Sequence, residues 1–289
     1  MKESPNRERA RIAMTVDVDA VGAPISKYLY GQFIEHLGRC IYDGLWAEML
    51  QDRKFFFEVT DRYAPWGTAE DAKWGSGPFE FLQASPWKVA GPAGTVSMDL
   101  GSAFTGVHSP RVPVSRGGAA GISQDGLALA SGKAYQGRIV LAGDARVTVS
   151  IRLVQDDGRA QERTIRGLDD HYQTCPLEFE PSDSSDNARI EILGSGEGAF
   201  RVGTVSLMPS DHQHGWRSDT VGLLKELDSP ICRWLGGNFV SGYDWRDGIG
   251  DRGKRPPLHD LDSRYDPDHG RPTPHGPSAT GNSSFWFSG

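Results

Sequence analysis

Residues 218–238 read SDTVGLLKELDSPICRWLGGN and predict a helix followed by a strand. Ser218 and Asp219 can cap the N-terminus of a helix, and the apolar residues that follow recur at helical spacing. The DSP at 228–230 ends the helix because proline cannot continue it. The next four residues, ICRW, predict a short buried strand. A helix that leads into a buried strand is typical of a parallel α/β fold.

A second segment of this kind lies near the start of the chain. YLYGQFIEHLGR at 28–39 is apolar and aromatic and ends in charged residues and glycine, which predicts a buried strand and its exit loop. IAMTVDVD at 12–19 alternates apolar and polar residues and predicts another strand. GLWAEMLQDRKFF at 44–56 has apolar residues at helical spacing and predicts a helix or helical turn. We expect 28–39 and 231–234 to be neighbouring parallel strands.

From Trp87 to Met208 the pattern changes. Short alternating runs such as YQGRIVLAG, ARVTVSIRLV and FRVGTVSLM are separated by clusters of Gly, Asp and Ser, with almost no helical pattern between them. Strands at such spacing predict a β-sandwich or jelly roll. We expect this block to interrupt the connection between the two parallel strands.

The composition of the whole chain excludes several classes of function. A formal net charge of −7 argues against a nucleic-acid or anionic-membrane surface, which would need clustered Lys and Arg. No stretch approaches the ~20 apolar residues of a membrane span, and the charged start lacks the apolar core of a signal peptide. Cys40, Cys175 and Cys232 form no CxxC, which favours a reducing compartment and neither a disulfide framework nor a zinc site. We therefore expect a soluble cytoplasmic protein with no metal and no cofactor.

Two polar motifs at the ends of the predicted parallel strands supply the candidate binding residues. Glu35 ends a strongly apolar run, where a carboxylate either contacts a ligand or pairs with a neighbour such as Arg39. Arg233 offers a rigid fork of donors. Asn238, behind two glycines, offers the donor and acceptor that suit a sugar hydroxyl. The alternative is a tight turn in which Asn238 tolerates a left-handed backbone.

These motifs resemble a known family. LYGQFIEHLGRCIYDGLWAEML, followed far downstream by LLKELDSPICRWLGGNFVSGYDWRDGIGDRGKRPP, resembles the α-L-arabinofuranosidases of glycoside hydrolase family 51. The block from SPWKVAG to FRVGTVSLMPSD is similar to a carbohydrate-binding-like insert that some members carry. The resemblance covers roughly residues 15–257.

The resemblance implies both a fold and an activity. The fold would be a (β/α)8 TIM-type barrel interrupted by a jelly-roll-like β-sandwich. The activity would be hydrolysis of terminal α-L-arabinofuranosides with retention of configuration, by two glutamates on later barrel strands. Glu35, Arg233 and Asn238 match the family positions that hold the sugar in the −1 subsite, and full-length relatives are expected to form homo-oligomers.

The chain departs from the family pattern in two places. Leu235 stands where the family usually has proline. More seriously, no glutamate follows Glu226 and no Asn-Glu pair occurs anywhere, so we expect both catalytic carboxylates of the retaining mechanism to be absent and the chain to be inactive alone. The alternatives are a non-catalytic carbohydrate-binding protein, with Trp87, Tyr135 and Tyr172 as candidate platforms, or a non-functional remnant.

These interpretations divide the chain into four parts. Residues 1–84 would hold the N-terminal strand and the first barrel strand and helix, 85–210 the carbohydrate-binding-like β-sandwich, and 211–257 a barrel helix and the second barrel strand with its GGN loop. After Asp262 there is no Leu, Ile, Val or Met, which predicts a disordered or out-of-frame tail at 258–289. The expected fold class is α/β plus all-β.

Overall fold

The computed structural model describes residues 13–35, 40–68, 80–233, 244–257, 265–266 and 271–272. Within these ranges the one α-helix is α1, Ser218–Glu226. Shorter helical turns are 3₁₀ at Lys27–Tyr30 and Trp245–Gly248 and π-type at Ile41–Leu45. The strands, in chain order, are β1 Gln32–Phe33, β2 Trp66–Thr68, β3 Glu80–Leu82, β4 Lys88–Ala90, β5 Ser97–Asp99, β6 Ser109–Val114, β7 Ala119–Leu129, β8 Tyr135–Gly143, β9 Val147–Val154, β10 Ala160–Ile165, β11 Gln173–Phe179, β12 Ser185–Gly196, β13 Gly198–Pro209, β14 Cys232–Arg233, β15 Tyr265–Asp266 and β16 Arg271–Pro272.

Ten of these strands, β4 to β13, form two five-stranded antiparallel sheets. Sheet 1 has the order β10-β9-β12-β7-β4, and sheet 2 has the order β11-β8-β13-β6-β5. Successive strands pass repeatedly from one sheet to the other, so the two sheets share one core in the manner of a jelly roll. The β-rich prediction is therefore confirmed, and the predicted run YQGRIVLAG coincides with β8.

The sandwich core follows from the alternation in its strands. In β9, the residues at 147, 149, 151 and 153 are buried apolar side chains, and those at 148, 150 and 152 between them are more exposed. They join a single cluster with Ile139, Leu141 and Phe200 of sheet 2. Each such side chain contributes about 1.5–3 kcal/mol when fully buried, so this cluster is the main source of the stability of the fold.

Residues 46–59 do not form the predicted helix. After the π-type turn the chain is irregular and lies along β13, beyond the point where β6 stops pairing with that strand. The backbone of Met49 donates to Leu207 O (3.0 Å), and that of Val205 donates to Arg53 O (3.1 Å). Leu50, Phe55 and Val59 of this segment belong to the same buried cluster as the sandwich core, so the spacing of its apolar residues reflects packing and not a helical period. The helix prediction for 44–56 was wrong beyond Leu45.

The predicted α/β part is present only as a small parallel unit. β1 pairs with β14 in parallel, and α1 contacts the turn at Ile41–Leu45 through Leu224. The predicted helix at 218–230 is thus confirmed as α1. No strand forms at residues 13–19, and the two paired strands are largely exposed where burial was predicted. The described residues show no further strands of a (β/α)8 barrel, and in the predicted tail they show only the β15–β16 pair.

Candidate functional site

The two sequence motifs meet at one edge of the parallel unit. Gln32 pairs with Cys232 and Phe33 with Arg233. The hydrogen bonds run from Gln32 N to Ile231 O (2.9 Å) and from Ile34 N to Arg233 O (3.0 Å). Because the strands are parallel, the residues that follow both leave from the same edge, where ligands of parallel sheets bind.

Glu35 and Arg233 are both placed at this edge. Glu35 lies two residues beyond Phe33 and is partly exposed. The Arg233 guanidinium carbon lies 3.8 Å from the centroid of the Phe33 ring, a cation–π arrangement that fixes the side chain while leaving its donors available. Asn238 and the two glycines before it lie outside the described residues, so their joint contact with Glu35 stays a prediction.

This arrangement can bind a neutral polyhydroxylated ligand. A carboxylate accepts hydrogen bonds from hydroxyl groups, and a guanidinium donates to the oxygens of such groups. Phe33 adds an exposed ring at 42% relative accessibility, of the kind that packs against the C–H groups of a sugar.

Four charged residues that the sequence analysis did not single out are buried on the segment that lies along β13: Glu48, Asp52, Arg53 and Lys54. The Glu48 carboxylate accepts from Ser206 Oγ (2.5 Å), Leu207 N (2.9 Å) and Leu50 N (3.2 Å). Burial raises the pKa of Glu48. For Asp52, Arg53 and Lys54, the signal that could have revealed them is the run QDRK at 51–54, set between apolar residues on both sides.

Asp52 shapes the turn that directs the next residues inward. Its carboxylate accepts from the backbone of Phe56 (2.6 Å) and Phe57 (3.1 Å), and its own φ is 44°. Its carbonyl accepts from Trp87 Nε1 at 3.2 Å. Burial raises the pKa of the Asp52 carboxyl well above its ordinary value. The turn is therefore anchored to the sandwich core through Trp87.

Lys54 forms hydrogen bonds to the backbone of residues 250–255, the segment that follows the GGN motif in the chain. Its Nζ donates to Arg252 O (2.8 Å) and to Arg255 O (2.6 Å), and Thr105 Oγ1 donates to Lys254 O at 2.9 Å. Burial lowers the pKa of Lys54 to about 6. We name this arrangement, formed by Lys54, Thr105 and residues 250–255, the Lys54 clamp. It holds residues 250–255, which follow the GGN motif in the chain, and β14 holds residues 232–233, which precede that motif.

Two of the three aromatic platforms proposed for the sandwich are buried. Trp87 and Tyr135 are 1% and 3% exposed, and both are part of the sandwich core, so sugar stacking on these two rings is corrected. Tyr172 contacts Phe104 at 5.2 Å between ring centroids and donates its hydroxyl to Ser102 O at 2.7 Å. Its ring is partly exposed, and its role as a platform stays a prediction.

Among the residues that the structure describes, no cluster of three or more His, Cys, Asp or Glu side chains is arranged to hold a metal ion. In the same part of the chain, no helix has the length and apolarity to cross a membrane.

Comparison with curated proteins links the chain to one class of glycosidase. It is 26% identical to α-L-arabinofuranosidase 1 of Arabidopsis thaliana over 278 residues, which are 86% of this chain and 38% of that protein. It is 49% identical over 96 residues to an exo-α-(1→6)-L-arabinofuranosidase of Bifidobacterium longum, covering 32% of this chain and 17% of the relative. Over 53 residues it is 49% identical to an intracellular exo-α-(1→5)-L-arabinofuranosidase of Bacillus subtilis, covering 18% and 11%.

The expected resemblance to α-L-arabinofuranosidases is confirmed by these relatives. The chain spans well under half of the length of each of them. No protein-family profile matches the chain.

Among solved structures, the chain has weak likenesses to carbohydrate-binding modules. One is TmCBM61 in complex with β-1,4-galactotriose, at a TM-score of 0.37 and 13% identity, covering 53% of this chain and all of that one. Another is the xylan-binding CBM22-1 domain of Paenibacillus barcinonensis Xyn10C, at a TM-score of 0.37 and 11% identity, covering 58% and 97%. TM-scores of this size do not establish a common fold.

Proposed function

We propose that the edge formed by Glu35, Arg233 and Asn238 binds a terminal arabinofuranose residue. The observation that carries the proposal is the parallel register of β1 and β14, which brings the end of the first motif beside the start of the second. The similarity to α-L-arabinofuranosidases supports arabinofuranose as the sugar. Glu35 would accept from ring hydroxyls, and Arg233 and Asn238 would donate to their oxygens.

The reaction that this edge would serve is retaining hydrolysis of terminal, non-reducing α-L-arabinofuranosides. That mechanism needs two carboxylates ~5 Å apart, one as nucleophile and one as acid/base. The residues at the edge bind and orient the sugar, and none of them is proposed for either role. We therefore propose that this chain binds the sugar and does not turn it over, within arabinose metabolism in the cytoplasm, as the name of the B. subtilis relative suggests.

Ligand-observed NMR with methyl α-L-arabinofuranoside tests the binding role. We expect Glu35→Gln to weaken binding by at least about tenfold, equivalent to about 1.4 kcal/mol, because an amide nitrogen replaces one acceptor oxygen. Glu58→Gln is the matched control, since Glu58 is an exposed glutamate outside the parallel unit. Equal binding by both variants would remove Glu35 from the site.

A second measurement tests the absence of turnover. The purified chain is incubated with 4-nitrophenyl α-L-arabinofuranoside, and release of nitrophenolate is followed. We expect no release above that of a heat-denatured sample. Catalytic turnover that Glu35→Gln abolishes would contradict the proposed division between binding and chemistry.

A further inference from the structure

A cavity of about 420 Å³ lies where the sandwich meets the parallel unit. Three pieces of chain enclose it: residues 46–49, residues 126–135 around the β7–β8 connection, and residues 209–219 at the start of α1. Neither Glu35 nor Arg233 lines it. Its volume falls in the range of about 300–1,000 Å³ that is usual for small-molecule sites, and such sites favour the junction between structural units.

The floor of the cavity is apolar. Trp46, Leu127 and Leu129 lie beneath it and are at most 4% exposed, and the exposed residues Ala128 and Ala130 border it. The Tyr135 hydroxyl is used within the protein, where it accepts from Ala130 N at 2.8 Å. The floor therefore offers apolar contact through small side chains rather than hydrogen bonds.

The rim of the cavity carries two ion pairs, each formed by one cation and one anion. Lys133 Nζ lies 3.2 Å from Asp211 Oδ2, and Arg217 NH2 lies 2.6 Å from Asp219 Oδ2. Ser218 Oγ also donates to Asp211 Oδ2, at 2.9 Å. All four charged side chains are between 39% and 63% exposed, so they can exchange water for a ligand. The hydrogen bond from Arg217 lowers the pKa of Asp219 to about 2 and keeps it ionised.

The other titratable side chains that line the cavity form hydrogen bonds within the protein. Glu48 directs its carboxylate to the hydroxyl of Ser206 and to the Leu207 amide. His212 accepts from Gly215 N through Nδ1 at 3.0 Å, and its Nε2 lies 2.9 Å from Gln136 Nε2. The groups that face a ligand at the rim are thus two cations and two anions.

We propose that this cavity is a second binding site, for a short neutral saccharide. A balanced rim gives no net attraction to an anion or a cation, whereas it presents both donors and acceptors to hydroxyl groups. The small exposed side chains of the floor, Ala128 and Ala130, leave room for the C–H face of a sugar ring. This site stands apart from the proposed arabinofuranose edge and does not depend on it.

Titration calorimetry of the folded chain with linear α-1,5-arabinotriose tests the proposal. Ala128→Trp fills the mouth from an exposed position of β7 that lines the cavity. Ala119→Trp is the matched control, because Ala119 is exposed on the same strand and lies outside the cavity lining. We expect Ala128→Trp to weaken binding at least about tenfold and Ala119→Trp to leave it unchanged. Circular dichroism confirms that both variants fold.

Two further arms separate the alternatives. Glu35→Gln must leave the binding of arabinotriose to the cavity unchanged. This variant therefore distinguishes a failure of the proposal for the arabinofuranose edge from a failure of the proposal for the cavity. Trigalacturonic acid, an anionic trisaccharide, must bind more weakly than arabinotriose. No heat with arabinotriose, binding that survives Ala128→Trp, or tighter binding of the anionic sugar would each overturn the proposal.

Discussion

Replacement of Lys54 by methionine gives the sharpest test of the electrostatics of the Lys54 clamp. The Lys54 amine is fully buried and donates to the carbonyl oxygens of Arg252 and Arg255. Methionine has a similar length and no ionisable group, so Lys54→Met removes the titration with little change in volume. Removal of the donor also weakens the clamp, at a cost of about 1–3 kcal/mol that does not vary with pH.

The pH-dependent part can be worked out from the pKa. Burial lowers the pKa of Lys54 from 10.5 in the unfolded chain to about 6 in the folded protein. Between these values the unfolded chain binds more protons than the folded one, so the stability of the natural protein rises with pH. The rise is about 1.4 kcal/mol per pH unit, which gives about 2–3 kcal/mol between pH 6.5 and 8.5. Below the folded pKa this contribution becomes constant.

Urea denaturation at pH 6.5 and 8.5 measures this effect. We expect the free energy of unfolding of the natural protein, minus that of Lys54→Met, to increase by about 2–3 kcal/mol over that interval. Lys225→Met is the control for loss of one positive charge, since Lys225 is exposed on α1. A constant difference would refute the reasoning and show that the two carbonyl dipoles hold the amine in its charged form.

Three other substitutions test the sandwich and the helix by urea denaturation. Gly121→Ala should lower the free energy of unfolding by about 1–3 kcal/mol, because a Cβ there would collide with Ile192 O on the neighbouring strand. Gly222→Ala should raise it by about 0.5–1 kcal/mol, since a Cβ in α1 meets nothing within 4 Å; a loss would show that the helix needs this glycine. Trp87→Phe should lower the free energy of unfolding by about 1–3 kcal/mol, because it removes the donor to Asp52 O. Saccharide binding should be unchanged, and weaker binding would restore Trp87 as a platform.

The sandwich and α1 were predictable from sequence because local patterns specify them. Alternation with period two predicted β8 and β9 closely, since a strand that is buried on one face must place its apolar residues on alternate positions. A helical period and a following proline predicted α1. The parallel strands β1 and β14 were predicted at their observed places, although their expected burial was wrong.

The candidate site was predictable only in part. Glu35 and Arg233 were identified from their position after apolar runs, and the register of β1 and β14 places both at one edge. Asn238 lies outside the described residues and stays a prediction. Trp87 and Tyr135 were wrong as aromatic platforms because composition does not reveal whether a ring packs inward. Trp87 looks the same in sequence whether it is a binding surface or, as here, a core residue that donates to Asp52 O.

The sequence by itself determined the strands of the sandwich, the helix α1 and the two polar motifs, because each depends on neighbours within a few residues along the chain. Only the tertiary structure decided the course of residues 46–59, the Lys54 clamp and the charge-balanced cavity. These depend on contacts between segments that are far apart in sequence, such as Lys54 with Arg252. The physical reason is that burial and hydrogen-bond satisfaction are settled by the whole fold, and they overrode the helical period of residues 44–56 once sheet 2 offered that segment partners.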